Sequence, residues 1–355
     1  MKPKARVIAL YLPQFHPIPE NDMWWGKGFT EWTNLAKAKP LYPGHKQPKL
    51  PADLGFYDLR VPEVREAQAV LAKQYGVEAF CYYYYWFDGK RLLERPLNEM
   101  IATKSPDFPF CLCWANGSWT GIWHGAPNRT LQEQTYPGRQ DDEKHFYEVL
   151  LPALSDPRYL KIDGRSLIAV HLPQDIPHAR ELTDTWRNLA LRSGVGELHL
   201  LGFGNQEKWN AAANGFDAGC STNLPVVRPW ISWSQPYKRM QFKVRHWLNQ
   251  PTVYDYKEVS SSLLDTNLRK NFYPAVIPNW DNTPRSGANG RVLHGSTPEL
   301  FRGLLREAIE KVSDRPYDQR VIILKSWNEW AEGNYVEPDA EFGHGWLEAI
   351  ATEVM

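Results

Sequence analysis

Two glutamates three residues apart near the end of the chain are the first residues whose types and spacing could do chemistry. They stand in the segment Ser326-Trp327-Asn328-Glu329-Trp330-Ala331-Glu332-Gly333. A turn or first helical turn puts positions i and i+3 on one side, so Glu329 and Glu332 can address one target. Cleavage of a glycosidic bond needs two carboxyl groups. One gives a proton to the leaving oxygen and the other acts at or near the anomeric centre. Trp327 and Trp330 flank the pair, and partial desolvation by indoles favours the protonated form of a carboxyl, the form an acid needs. Two acids in a first helical turn also stabilise the helix dipole. The position of the pair in the fold therefore decides between the two roles.

The elements that would position the pair are legible as an alternation. Short runs rich in β-branched and aromatic residues lie at 7–12, 77–85, 110–114, 167–172, 198–203, 218–222, 275–278 and 321–327. Between them lie helix-like stretches at 62–75, with Pro62 at the start and Gly76 just past the end, and at 142–154, 179–192 and 298–312. Eight strands of near-continuous hydrophobicity with intervening helices fit a (β/α)8 TIM barrel, read as one domain over 1–355. Long βα loops are expected at about 13–61 and 223–272. A doubly wound sheet is the competitor, but its dinucleotide fingerprint GxGxxG does not occur.

In a barrel, function collects at the C-terminal ends of the strands. The expected ends carry Tyr11, Gln14 and His16; Tyr84, Tyr85, Trp86 and Asp88; Trp114, Asn116 and Trp119; His171 and Gln174; Asn205; Asn279, Trp280 and Asp281; and Trp327 to Glu332. The chain has 16 Trp, 17 Tyr and 14 Phe, more flat apolar surface than a core needs and well suited to sugar rings. Glu329 and Glu332 are the expected catalytic pair. The expected substrate-binding residues are Tyr11, His16, Trp25, Glu31, Tyr84, Trp86, Trp114, Asn116, Trp119, Trp280, Asp281, Trp327, Asn328 and Trp330. The first long loop carries Trp24, Trp25, Lys27, Glu31 and Trp32. The second carries Arg228, Trp230, Trp233, Tyr237, Arg245, Tyr254 and Tyr256. Both are expected to wall a cleft.

Composition narrows the partners. Of 355 residues, 43% are hydrophobic and 23% charged, which permits a large core and excludes global disorder. Lys+Arg and Asp+Glu both total 41. A net charge of zero argues against nucleic acid as the main partner and against charge-driven binding to anionic lipid. No apolar run reaches the length of a membrane span. The opening segment reads as a strand rather than a signal peptide, so cytoplasm is the default expectation. Cys81, Cys111, Cys113 and Cys220 read as buried reduced thiols, and neither they nor His16 and His124 form a metal array. No cofactor is expected.

The motif YLPQFHPIPENDMWWGKGFTEWTN (11–34) resembles the opening signature of the WbsX family. These are bacterial proteins often labelled glycosyltransferases of polysaccharide biosynthesis, and they are similar to glycoside hydrolase family 99. CWANGSWTGIWHG (113–125), YPAVIPNWDNTPR (273–285) and SWNEWAEGNYVEPD (326–339) extend the likeness over essentially the whole chain. Family 99 enzymes are (β/α)8 endo-α-1,2-mannosidases or mannanases with paired glutamates in a WNEWxEG motif, which Glu329 and Glu332 match. The resemblance implies that Glu329 removes the proton of the sugar 2-hydroxyl, whose oxygen then attacks the anomeric carbon to give a 1,2-anhydro sugar. It implies that Glu332 protonates the leaving group and then activates the water that opens the epoxide, with net retention. That route needs the 2-oxygen and the leaving group trans, as in α-mannosides and α-rhamnosides. Two positions depart from the pattern: Ala331 stands where family 99 hydrolases typically carry His, and Gly117-Ser118 where an acidic residue is expected. A glycosyltransferase of surface polysaccharide is the alternative, although the chain has no Asp-x-Asp pair for a nucleotide-sugar metal. A glycan-binding protein without turnover is the third reading.

Overall fold

Strands that are hydrophobic along their whole length must be covered on both faces, and a closed barrel inside a helical layer does this. The computed structural model describes residues 2–121, 126–221, 224 and 247–355, with backbone alone for 126–128. His124, Arg228, Trp230, Trp233, Tyr237 and Arg245 lie outside the described residues. Eight parallel strands form the barrel: β1 (Arg6–Tyr11), β2 (Val77–Phe87), β3 (Phe110–Trp114), β4 (Arg165–Val170), β5 (Leu198–Phe203), β6 (Ala218–Ser221), β7 (Phe272–Val276) and β8 (Val321–Leu324). Each pairs with the next, and β8 pairs with β1 to close the ring. All eight lie where the sequence places them, within a few residues.

Helices Pro62–Gln74, Ala179–Arg192 and Pro298–Glu310 stand at the expected positions. Pro298–Glu310 shows why. The Thr297 hydroxyl accepts a hydrogen bond from the Leu300 amide, Pro298 opens the first turn, and Phe301, Leu304, Leu305, Ala308 and Ile309 bury one face. The stretch expected at 142–154 begins earlier, as Arg139–His145, and passes through a π turn at Phe146–Leu150 into Leu151–Leu154. Helices Arg95–Thr103 and Gly345–Val354 complete the layer. Between β5 and β6 there is a single 3-10 turn, Ala212–Asn214, in place of a helix.

Strand parity sorts the residues at the C-terminal mouth, because successive side chains face opposite sides. Leu12, Tyr83, Tyr85, Ala115, His171 and Lys325 line the central hollow. Their sequence neighbours Tyr11, Tyr84, Trp86 and Trp114 turn the other way. The Tyr11 hydroxyl donates to Gln68 of helix Pro62–Gln74 at 2.6 Å. Trp86 stacks on His145, with centroids 4.8 Å apart and planes 3° from parallel, and its indole donates to Asp141. Trp114 packs on His145 and Trp186, and Tyr84 on His145. Placing these four in the cleft is therefore corrected: they hold helices against the barrel wall.

Asn328 straps β1 to the chain leaving β8. Its Oδ1 accepts from the Leu12 amide at 2.7 Å, and its Nδ2 donates to the Leu12 carbonyl at 3.1 Å and to the Tyr57 hydroxyl at 3.2 Å. All of this is buried, so Asn328 is a strap and not a sugar ligand. Asn328→Leu would strand the amide and carbonyl of Leu12, at about 1–3 kcal/mol for each buried group left unpaired. Chemical denaturation should show a loss of about 2–4 kcal/mol, and a loss below about 0.5 kcal/mol would contradict the assignment.

Candidate active site

Beyond β8 the chain folds back sharply. Asn328–Glu329 pairs antiparallel with Asn334–Tyr335, and a 3-10 turn, Trp330–Glu332, joins them. Side chains at i and i+3 eclipse in such a turn, so Glu329 and Glu332 project the same way. No longer helix follows, so the pair is not there to serve a helix dipole. The turn closes on Gly333 at φ 52°, where a Cβ would stand 2.8 Å from the Asp281 amide nitrogen. Only glycine fits that close approach.

The turn is held from behind by one buried carboxylate. Glu337 accepts hydrogen bonds from Tyr57 Oη (2.9 Å), Gln68 Nε2 (2.7 Å), Trp327 Nε1 (2.8 Å) and Trp330 Nε1 (2.7 Å). Burial pushes this carboxyl up to about 7 while the four donors pull it down. An indole can only donate, so both tryptophans require the acceptor to keep its lone pairs free. Trp330 also stacks on Tyr335 with centroids 3.8 Å apart. The flanking tryptophans thus face away from the cleft. They anchor the turn that carries Glu329 and Glu332 and do not line the cavity expected for them.

In front of the turn lies a cavity of about 290 Å³, small for a ligand pocket and suited to one compact unit. Glu329, Glu332, Arg285, Lys325 and His171 bring charge and polarity; Trp25, Trp119, Tyr83 and Tyr85 bring flat faces; Leu12, Gln14, Ala115, Ser118 and Thr120 complete the lining. Trp25 is the last residue of helix Pro19–Trp25. Trp119 meets Tyr85 edge-on at 4.9 Å and Trp24 at 5.8 Å.

The two glutamates have different neighbours. Lys325 Nζ lies 3.6 Å from Glu329 Oε2, an ion pair longer than a hydrogen bond. Glu332 Oε1 accepts from Arg285 NH1 at 2.5 Å. Burial raises the pKa of the Glu332 carboxyl; Arg285 pulls it down and Glu329 pushes it up. The other amine of Arg285 bonds Glu31, which is wholly buried behind the cavity. Burial pushes Glu31 up to about 7 against the pull of Arg285. Across the cavity, burial holds His171 down to about 4, and Lys325 acts in the same direction, so its imidazole is neutral.

Of the residues expected to catalyse or bind, Glu329, Glu332, Trp25 and Trp119 line the cavity, as do Gln14, Tyr85 and His171 from the expected strand ends. Glu31 reaches it only through Arg285. His16 is buried elsewhere, its Nδ1 3.1 Å from the Pro13 carbonyl oxygen, and burial holds it down to about 4. Asn116 ties the ends of β3 and β4 together: it accepts from the Leu172 amide (2.7 Å) and donates to the Leu172 carbonyl (2.8 Å) and Tyr136 (2.9 Å). Asp281 is saturated by His45, Gln47 and Thr283. Together with Trp280 it borders a second cavity of about 340 Å³. Lys27 is exposed, and the Tyr256 hydroxyl donates to the Ile277 carbonyl at 2.7 Å. Sequence reasoning missed Arg285, Lys325 and Tyr83. Lys325 was legible, because it shares the inward parity of Val321 and Ile323 and is the first charge on that face.

Among the described residues no group of three or more His, Cys, Asp or Glu could hold a metal ion, and the four cysteines are buried and free. No described helix is long and apolar enough to cross a membrane.

Comparison with known proteins agrees with this architecture. The model of the family described as "Glycosyltransferase WbsX" matches residues 7–350. The "uncharacterized protein WxcX" of Xanthomonas campestris pv. campestris (strain B100) is 40% identical over 349 residues, 97% of this chain and 49% of that protein. The chain thus spans about half the length of the curated relatives it matches. Among solved structures, the GH99 endo-α-mannosidase from Bacteroides thetaiotaomicron aligns with TM-score 0.53 and 14% identity over 98% of this chain and 96% of that one. A "glycoside hydrolase-like protein" aligns with TM-score 0.61 and 15% identity over 99% and 94%. At these identities the likeness is one of fold.

The buried imidazoles make stability depend on pH. The folded state holds His16 and His171 neutral down to about 4, while an unfolded histidine takes up its proton near 6.5. Between those values the unfolded state binds more protons, so stability falls as pH drops from 7.5 to 5, by about 1–2 kcal/mol per imidazole. Denaturation of His16→Gln at both pH values should show a smaller fall than wild type; an equal fall would remove His16 from this account.

Proposed function

We propose that this chain, which belongs to the WbsX glycosyltransferase family, is a retaining glycoside hydrolase acting on α-mannosyl or similarly configured, rhamnosyl-like linkages of bacterial polysaccharide. The observation that carries the reading is the pair Glu329 and Glu332 on one small cavity at the C-terminal mouth of the barrel, each beside its own cation. A binding module would not need two buried carboxyls side by side, because each costs desolvation.

The asymmetry of the pair supports two roles. Glu329 beside Lys325 is the carboxylate, able to take the proton of the sugar 2-hydroxyl as that oxygen closes on the anomeric carbon. Glu332 is the acid that protonates the leaving oxygen, and Arg285 stabilises the carboxylate it becomes. The resulting 1,2-anhydro sugar is opened by a water that attacks the anomeric carbon and gives its proton to Glu332, while the 2-oxygen takes its proton back from Glu329, and the anomeric configuration is retained. Closure requires the 2-oxygen trans to the leaving group, which manno- and rhamno-configured α-glycosides provide. Trp25, Trp119 and Tyr85 supply faces for the ring. Ala331 stands where family 99 hydrolases typically carry His; it is fully buried and outside the cavity lining.

The family's description favours a second reading, transfer from a nucleotide sugar. Release of nucleoside diphosphate that depends on an acceptor glycan would establish transfer and defeat hydrolysis.

With α-mannosyl or α-rhamnosyl fluoride as substrate, wild-type protein should release the α-anomer first, as read by proton NMR. Glu329→Gln should lower kcat/KM by about 10²–10⁴-fold. Glu332→Gln should lose more on aryl glycosides with poor leaving groups than on the fluoride. First-formed β-anomer, or full activity in Glu329→Gln, would overturn the mechanism.

A further inference from the structure

Buried glutamines in this fold use both ends of the amide, with one exception. Among the described residues four glutamines are buried: Gln14, Gln47, Gln68 and Gln206. Gln47 donates to Asp281 and accepts from the Lys49 amide. Gln68 accepts from Tyr11 and donates to Glu337. Gln206 donates to the Asn267 carbonyl and accepts from the Arg269 amide. Gln14 is as enclosed as these, at 1% exposure, yet its Nε2 has no hydrogen-bond partner. It alone of the four lines the cavity that holds Glu329 and Glu332.

A donor sealed from bulk water and left unbonded costs free energy. The backbone around this one is fixed. The Gln14 carbonyl accepts from the Glu31 amide at 2.9 Å, and its neighbour Phe15 packs on Trp32 and Tyr57. The amide is thus held at the hollow with a donor free for what fills it.

Its place around the barrel says which group of a sugar it meets. Strands β7, β8, β1 and β2 are successive neighbours. Glu332 meets Arg285 from the turn after β7, Glu329 stands beside Lys325 just past β8, and Gln14 follows beyond β1. On the hydrolase reading the leaving oxygen is at Glu332 and the 2-hydroxyl at Glu329. The next protein group in the same sense meets the next hydroxyl of the ring, the one on C3.

We propose that Gln14 is a substrate-binding residue that donates to the 3-hydroxyl of the bound saccharide unit and, being enclosed, admits only units whose 3-oxygen carries no further sugar. The proposal rests on the hydrolase reading for the orientation of the ring. It narrows the substrate class. Chains joined through the 3-oxygen of the bound unit are excluded; terminal units, and units extended through the 4- or 6-oxygen, are accepted. A site built to bond a hydroxyl rejects the analogue that lacks it, because the buried amide is then left unpaired.

The test reads binding, so it is separate from turnover. Full-length Glu332→Gln protein is titrated calorimetrically with methyl α-mannoside and methyl α-rhamnoside, and with the 3-deoxy, 3-O-methyl and 4-deoxy forms of whichever binds. The 3-deoxy and 3-O-methyl forms should each bind about 10-fold more weakly than the parent, and the 4-deoxy form should lose less. Adding Gln14→Leu should weaken the parent by about the same 10-fold and leave the affinity for the 3-deoxy form unchanged. Because that substitution removes an unpartnered amide, the midpoint of chemical denaturation should not fall, as it would for a residue that only supports the fold. Equal losses for parent and 3-deoxy form on Gln14→Leu, a loss that tracks the 4-hydroxyl instead, a 3-O-methyl form bound as tightly as the parent, or no binding of either glycoside would each overturn the proposal. Should Gln14→Leu not fold, the ranking of the analogues decides the matter alone. A wild-type protein that binds in the expected pattern but turns over no glycosyl fluoride would count against the hydrolase reading and leave the contact of Gln14 with the 3-hydroxyl standing.

Discussion

Burying charge is the constraint that organises the mouth of this barrel. Among the described residues, Glu31, Glu329 and Glu332 are drawn together around Arg285 and Lys325. In a water-poor site a carboxylate must be paired or take up a proton. Among the described residues three acids meet two cations, and that balance favours a proton on one of the acids. That proton is what acid catalysis at a glycosidic oxygen requires. The geometry therefore ties the electrostatic balance of the site to the reaction proposed for it.

Such a cluster has to be held rigidly, since a loosened pair would open to water. The rigidity comes from behind. Glu337 gathers Trp327, Trp330, Gln68 and Tyr57, so the turn carrying Glu329 and Glu332, the first barrel helix and the β1 loop share one anchor. Asn328 fastens the same turn to Leu12 at the end of β1. Residues 326–339 thus divide by face: Glu329 and Glu332 look into the cavity, and Trp327, Asn328, Trp330 and Glu337 look into the protein. A run that reads as one catalytic motif is half machinery and half mounting.

This division marks where the sequence is legible and where it is not. All eight strands follow from hydrophobic runs, because a parallel barrel strand is buried on both sides and stands out in composition. That Glu329 and Glu332 share one cavity follows from their position at the end of β8. The lining of the cavity follows poorly, since an aromatic residue at a strand end has even chances of facing the hollow or the helices. Tyr84 and Trp114 are one residue from Tyr83 and Ala115, and face the other way. Strand parity, counted outward from the barrel interior, would have separated them and would have picked out Lys325. Arg285 carries no such signal: it reaches the site from the turn after β7, and its bond to Glu31 spans 254 positions of sequence. Contacts of that range are set by tertiary packing alone.

The account stands on a single saccharide unit lying between Glu329 and Glu332. A crystal structure of Glu332→Gln soaked with an α-mannosyl or α-rhamnosyl oligosaccharide tests this most directly. The account predicts one ring in the cavity, with its 2-hydroxyl within hydrogen-bond distance of Glu329 and its glycosidic oxygen within hydrogen-bond distance of residue 332. A sugar bound elsewhere on the barrel, with the cavity left to water, would contradict it.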